Sequence, residues 1–247
     1  AHQPVQHHLY GTLTIRHAPG GVVDVAVQVE RRDAGHVAPV RLTAIDTGRT
    51  AEAVLKRDGA PVSVDVAGCG PFVANAGQAA YYRTRYADAE FARLHQHFDR
   101  LANVDRLGLL NDASSLAQSG VLATARYLEL ADAVAIDSHP YLVMQLAGRF
   151  AAIDRLMQGS PQLDAWRRYA RARLRPAFDR LGWSPIEGES QPTALLREEL
   201  LSSLGTLADP DIVREATARF RSLPQHPEAV VPSLRNVVME VAARHAD

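Results

Sequence analysis

Two hydrophobic periodicities divide this chain. Up to about residue 87 apolar and polar residues alternate. Val23, Val25, Val27 and Val29 share one side against Asp24, Gln28 and Glu30, Val40 and Leu42 alternate with Arg41 and Thr43, and Val62, Val64 and Val66 alternate with Ser63 and Asp65. A period of two carried by β-branched residues predicts half-buried strands. Turn chemistry separates them at Pro19-Gly20-Gly21, Asp33-Ala34-Gly35, Arg57-Asp58-Gly59 and Gly68-Cys69-Gly70-Pro71. With Gly11 to Arg16 and Ala80 to Tyr86, about seven strands result, at the spacing of a small β-sandwich.

From Asp88 the period lengthens to that of a helix. Phe91, Leu94, Phe98 and Leu101 follow Asp88 as a stripe. The stretch Asp105 to Gly120 repeats the pattern with Leu107, Leu110, Ala113 (or Ser114) and Ala117, and Gly120 stands where a helix end favours positive φ. Further runs cover Leu122 to Ala135, Pro140 to Met157, Leu163 to Leu181, Pro192 to Leu207, Pro210 to Leu223 and Pro232 to Ala243. About eight helices are predicted. Proline precedes five of the later runs, at positions 140, 161, 192, 210 and 232, where its missing N–H has no partner to lose. Pro176 falls inside a run and predicts a break or kink near Arg175. Taken in pairs the helices recur every roughly 35–45 residues, the period of HEAT-like arrays. The expected fold class is α+β multidomain: a β-sandwich over residues 1–87, then a HEAT/armadillo-like α-solenoid with a concave side over 88–247.

Composition narrows the function more by exclusion than by indication. A formal charge of -1 gives no global attraction to nucleic acid or membrane. The 27 basic residues include one lysine, Lys56, a coding bias expected of a GC-rich bacterial genome. The single cysteine, Cys69, forms no internal disulfide and no cysteine cluster for metal; it reads as a turn residue, with a nucleophile as the sharper alternative. No apolar run approaches the ~20 residues of a membrane span, and Ala1 to His8 lacks the order of a signal peptide.

Several spaced motifs carry a family resemblance. Asn75-x-Gly77-Gln78-x-x-Tyr81-Tyr82-Arg83-Thr84-x-Tyr86 resembles the N-x-G-Q-x-x-Y-Y-R-V-x-Y segment that closes the small β-sandwich of aminopeptidase N-type zinc metallopeptidases. Asp105-Arg106-x-x-Leu109-Leu110-Asn111-Asp112-Ala113, with Leu116-Ala117-x-x-Gly120, resembles the D-R-x-x-L-(L/I)-D-D-A-F-x-L-A-x-x-G signature opening their helical C-terminal domain. Leu174-x-Pro176, Leu181-Gly182-Trp183, Leu195-Leu196-Arg197, Glu215-Ala216-x-x-x-Phe220 and Pro232-x-Leu234-Arg235 follow in the order that domain uses. Asn111 replaces an acidic residue and Ser114 a phenylalanine, and Asp137 to Tyr141 matches the family's E-x-x-x-x-P-W region only loosely.

The resemblance implies a zinc-dependent parent enzyme that removes N-terminal residues from peptides. Its chemistry lies in a thermolysin-like domain with H-E-x-x-H, a further glutamate and G-A-M-E-N. Neither motif occurs here. His2, His7 and His8 lie near the N-terminus, and His95 and His97, two apart on a helix, face different ways. The expectation is therefore a C-terminal piece without catalytic residues, metal or cofactor of its own, preceded in the parent by the zinc-bearing catalytic domain and stopping before the last solenoid helices. The parent's partners are peptide substrates, not nucleic acid or membrane. Its compartment is expected to be the cytoplasm, with the periplasm left open.

Two clusters invite a chemical reading. Asp105 and Asp112, seven apart on one helix face, could form an acid/base pair; the plainer reading makes Asp105 a helix cap and Asp112 an arginine partner. Arg167, Arg168, Arg171, Arg173 and Arg175 read as a solvated face or, through Arg167, Arg168, Arg171 and Arg175, as a chamber wall holding a peptide carboxylate. Trp166, Tyr169 and Trp183 read as core or as groove lining. Asn75, Gly77, Gln78, Tyr82, Arg83, Tyr86, Asp105, Arg106, Asp112 and Gly120 are expected to keep the fold. The alternative function is a non-catalytic helical-repeat scaffold that binds a peptide or protein in its concave face.

Overall fold

The computed structural model describes residues 11–17, 22–29, 38–55, 62–65, 70–80 and 82–246. Cys69, His2, His7 and His8 lie outside them. Among the described residues seven strands come first: β1 (Gly11–His17), β2 (Val22–Val29), β3 (Ala38–Ala44), β4 (Thr50–Leu55), β5 (Val62–Asp65), β6 (Phe72–Ala74) and β7 (Arg83–Tyr86). Eight α-helices follow among the described residues: α1 (Asp88–Gln96), α2 (Asn103–Gln118), α3 (Thr124–Asp132), α4 (Pro140–Leu156), α5 (Leu163–Leu181), α6 (Gln191–Thr206), α7 (Pro210–Ser222) and α8 (Arg235–Arg244). The class is α+β, as the two periodicities predict. The chain forms two compact units, Ala1–Ala133 and Val134–Asp247.

In the first unit the strands make two sheets, β5-β2-β1-β7 and β4-β3-β6. β1 pairs antiparallel with β2 and parallel with β7, placing Thr12 opposite Arg83 and Ile15 opposite Tyr86. Alternation on β3 buries Val40, Leu42 and Ala44 and leaves Arg41 on the other side, where it pairs with Glu52 of β4 at 2.7 Å. All three residues of β6 are buried. The unit runs on through α1, α2 and α3, whose Phe91, Leu94, Leu110 and Tyr127 are almost fully enclosed.

The second unit is helical. Its core stripes follow the helical repeat: Trp166, Ala170, Leu174, Ala177 and Phe178 on α5, and Leu196, Leu200, Leu201 and Leu204 on α6. Each enclosed leucine contributes about 1.5–3 kcal/mol of transfer free energy. α4 packs on α6 and α6 on α8. Glycine marks both crossings. A Cβ on Gly148 would meet the Glu199 carboxylate at 3.3 Å, and one on Gly205 would lie 2.4 Å from a Val241 methyl. Proline occupies the first turn of α4, α6 and α7. The final run is split, with a 3-10 turn at Pro232–Leu234 ahead of α8.

Two expectations need correction. α5 passes through Pro176 without a break, from Leu163 to Leu181. The bond that Pro176 cannot make would go to the carbonyl of Ala172, which is exposed, so water can replace it. On α2 the expected stripe is also incomplete. Leu107 and Ala117 are half-exposed, while Asp105, Gly108, Leu109, Leu110, Ala113, Ser114 and Leu116 are buried. The helix contacts both β7 and α3, so it buries a wider arc that includes polar positions.

Candidate functional site

The family-motif residues of the first unit converge on one junction, between α2 and the segment from β6 to β7. That segment turns sharply. Asn75 (φ 56), Gly77 (φ 72) and Gln78 (φ 53) all adopt left-handed backbone within four residues, which costs about 1–2 kcal/mol for a residue bearing a Cβ. Asn75 closes the turn on itself. Its side-chain amide donates to the Ala80 carbonyl at 2.8 Å, and its Oδ1 accepts the Ala80 N–H at 2.8 Å. Asparagine is among the few residues that tolerate this backbone, which accounts for its place in the motif.

α2 clasps the turn through three residues on one face. The Gly77 N–H donates to Asp105 Oδ1 at 2.7 Å, and the Thr84 N–H donates to Asp112 Oδ2 at 2.9 Å. Between the two aspartates lies Gly108, where an added Cβ would sit 1.9 Å from Gln78 Nε2. The bare backbone there makes room for the glutamine side chain. Asp105, Gly108 and Asp112 thus form a line at i, i+3 and i+7 that matches Gly77, Gln78 and Thr84. Asp105 is not the helix cap: α2 begins after Ala102, with no side-chain cap, and the Asp105 carboxylate reaches across to Gly77.

The remaining motif residues brace this line. Tyr86 is buried and its hydroxyl accepts the Ala74 N–H at 2.9 Å, tying β7 to β6. Arg106 donates from Nε to the Leu101 carbonyl at 2.9 Å and from Nη2 to the Asp99 carbonyl, with its guanidinium 5.7 Å from the Phe98 ring centre. Gly120 ends α2 at φ 73, and the Val121 and Leu122 N–H groups both return to the Leu116 carbonyl.

Burial governs the electrostatics. It pushes Asp112 up to about 7, while the Thr84 bonds and the nearby Arg83 guanidinium pull down by less. Asp105 is also raised by burial, against the pull of the Gly77 N–H. Burial moves the Tyr82 hydroxyl up to about 12 and Tyr86 further in the same direction. Neither aspartate lines the small void beside β7. The void lined by Thr84, Tyr86, Leu109, Ala113 and their neighbours measures about 10 Å³, room for no more than a water molecule. The two aspartate bonds hold a helix on a turn and a strand. No group of three histidine, cysteine, aspartate or glutamate side chains that could hold a metal occurs among the described residues.

In the second unit the arginine run is distributed among helix contacts. Arg167 clamps the buried Asp154 of α4 through two bonds, at 2.7 and 3.0 Å. Arg171 donates to the Ala208 carbonyl at 2.8 Å. Arg175 bonds Asp179 at 2.7 Å and Asp209 at 2.9 Å, and Asp209 caps α7 by accepting the Asp211 and Ile212 N–H groups. Arg173 reaches the Val134 carbonyl at 3.2 Å. Arg168 is exposed, with no ion pair among the described residues. The aromatic trio belongs to packing: Trp166 meets Phe150 edge-on at 5.2 Å and donates to its carbonyl, and Trp183 lies between Phe178 and the Arg219 guanidinium.

Arg197, legible in the sequence only as part of a motif, is the largest fully buried side chain in the second unit. It donates from Nε to the Gly182 carbonyl at 3.0 Å and from Nη2 to that of Leu181 at 3.3 Å, satisfying the end of α5. Both terminal nitrogens also bond Glu189, which the guanidinium holds below the ordinary carboxylate range. The L-G-W and L-L-R motifs are therefore two halves of one helix closure. Glu189 and Gly108 carried no sequence signal beyond an acidic loop residue and a glycine inside a helical run.

The sequence pattern of the ERAP1-like C-terminal domain family matches residues 71–247, well over half the chain and the portion that contains every motif above. The chain belongs to the ERAP1-like C-terminal domain family. Curated relatives agree. Aminopeptidase 2 of Candida albicans is 26% identical over 183 residues, covering 71% of this chain and 20% of its own length. Aminopeptidase M1 of Arabidopsis thaliana is 27% identical over 150 residues, 59% of this chain and 17% of its own length. Aminopeptidase N of Lactococcus lactis is 25% identical over 167 residues, 67% of this chain and 20% of its own length. The chain spans about a fifth of the length of the curated relatives it matches. For the ERAP1-like C-terminal domain family the junction at α2 lies wholly inside the matched region. No helix among the described residues is long and apolar enough to cross a membrane.

Proposed function

We propose that this chain is the non-catalytic C-terminal portion of a zinc-dependent aminopeptidase that removes N-terminal residues from peptides. The observation that carries the reading is the family match over residues 71–247, in a chain that contains no H-E-x-x-H. In the parent enzyme, residues 1–87 act as a β-sandwich spacer, and the helices of 88–247 form a solenoid that covers the zinc site and shapes a chamber for peptides. The way α4 packs on α6 and α6 on α8 supports helix stacking of that kind. The zinc and its ligands belong to a catalytic domain preceding this segment.

Asn75, Gly77, Gln78, Tyr82, Arg83, Tyr86, Asp105, Arg106, Asp112 and Gly120 act as fold-keeping residues at the junction between spacer and helices. Of the candidate chamber arginines, Arg167, Arg171 and Arg175 shape the wall through their helix contacts. The exposure of Arg168 supports its role as the candidate that meets a peptide carboxylate. Reading the genomic frame upstream of this segment tests the proposal: H-E-x-x-H with a downstream glutamate is expected. A frame coding for no such motif would overturn it in favour of a peptide-binding helical scaffold.

A further inference from the structure

Among the described α-helices of the second unit, α7 buries the fewest side chains, Ile212 and Ala216 alone, where α6 buries eight of sixteen. Beyond its far end the chain runs through Pro224, Gln225, His226, Pro227 and Glu228, all exposed. The near end is built differently. Only Leu207, Ala208 and Asp209 separate α6 from α7, and Leu207 and Asp209 are buried. Ala208 stands at φ 54, the one residue of this unit, among those described, that combines a Cβ with left-handed backbone. Past the ends of α4 and α5 glycine takes that conformation, at Gly159 (φ 80) and Gly182 (φ 61). Alanine at this corner is therefore strained where glycine would not be.

Two arginines one turn apart on α5 hold the corner. Arg171 donates from Nη1 to the Ala208 carbonyl at 2.8 Å, and Arg175 donates from Nη1 to Asp209 Oδ1 at 2.9 Å. The backbone closes through the Ala208 N–H on the Gly205 carbonyl at 3.1 Å and the Asp209 N–H on that of Leu204 at 2.9 Å. The other ties of α7 are its packing on α8 and Arg219, whose guanidinium lies 4.7 Å from the Trp183 ring centre.

We propose that α7 is a flap hinged at Ala208 and seated by Arg171 and Arg175, and that it opens before the rest of the second unit unfolds. Strain at Ala208 drives the opening, because a freed corner returns to ordinary backbone regions. Arg171 opposes it, since its bond exists only while the Ala208 carbonyl points at α5. A small buried face and an exposed far connection leave little else to resist. The flap is a property of the chain itself and stands apart from the peptidase reading.

Native-state hydrogen exchange on the full chain tests the hinge. The Ala216 amide in α7 is expected to be at least tenfold less protected than the Leu200 amide in α6. Its exchange should be nearly independent of low urea, because opening a flap exposes little surface. Ala208→Gly removes the strain and keeps the corner; part of the gain is returned by the greater freedom of glycine in the open form, so Ala216 protection should rise about threefold to tenfold. Arg171→Met should lower it about tenfold, the worth of a charged hydrogen bond. Equal protection and equal urea dependence at Ala216 and Leu200 in the native chain would overturn the flap, whether or not a variant folds. Ala208→Gly that leaves or lowers Ala216 protection overturns the hinge, and a folded Arg171→Met with unchanged protection overturns the role of Arg171.

Discussion

Removing the Arg197 side chain examines the closure of the second unit at its largest fully buried side chain. Arg197→Ala deletes two bonds to the last carbonyls of α5 and the double bond to Glu189. Breaking a buried ion pair from one side costs about 3–5 kcal/mol. Glu189 sits on a loop beside exposed Glu187 and Gly188 and can turn toward water, which places the expected loss near the lower end, at about 3 kcal/mol. The unfilled volume of the arginine stem adds to it. Both tryptophans, Trp166 and Trp183, lie in the second unit, so tryptophan fluorescence in urea reports that unit. Circular dichroism reports both units. At the usual urea slopes the fluorescence midpoint should fall by about 1–2 M.

Glu189→Gln should cost less, because an amide oxygen can still accept from the guanidinium. Pairing Arg197→Met with Glu189→Gln should recover part of the loss, since no charge is then stranded. The pair also weakens on the acid side. Arg197 holds Glu189 below its ordinary range, so the pair's contribution is complete above the unfolded glutamate's pKa. It disappears as pH falls through the folded value. An Arg197→Ala midpoint within about 0.3 M of the native chain, a difference worth well under 1 kcal/mol, would refute the reasoning.

Further expectations follow from neighbouring contacts. Gly205→Ala drives a Cβ to 2.4 Å from a methyl of the buried, β-branched Val241; it should destabilise the second unit by about 1–3 kcal/mol in urea unfolding, despite alanine's better helix propensity. Gly108→Ala meets only the amide end of Gln78, which can swing outward, so thermal unfolding should change by less than about 1 kcal/mol. Asp209→Ala removes both the α7 cap and the Arg175 partner and should cost about 1–3 kcal/mol by the fluorescence assay. Arg168→Ala should leave the unfolding midpoint unchanged; in the parent enzyme it should raise KM for peptides with a free carboxylate while leaving kcat unaltered.

Most of the secondary structure was legible because its cause is local. The seven-strand count, the helix from Leu163 to Leu181, and the proline-led starts of α4 and α7 follow from period and turn chemistry alone. The departures are tertiary. Pro176 is tolerated at a place where the residue whose carbonyl it orphans, Ala172, is exposed, which a linear pattern cannot indicate. The buried arc of α2 includes Asp105 and Gly108 because the turn between β6 and β7 lies against it, with the Gly77 N–H on Asp105 and the Gln78 side chain on Gly108. Sequence spacing put Asp105 and Asp112 on one face. It could not show that their partners are the main-chain N–H groups of Gly77 and Thr84, because a backbone donor carries no residue signature. Likewise the arginine run was visible, but Asp154, Ala208 and Asp209, which receive its bonds, lie 13 to 37 positions away.

We propose that the chain carries the helical portion of an aminopeptidase without its chemistry. The most direct test is to incubate the purified chain with aminoacyl-amide substrates and to measure bound zinc in the same preparation. The expected result is no turnover above the buffer rate and no stoichiometric zinc. Turnover accompanied by one zinc per chain would contradict the account.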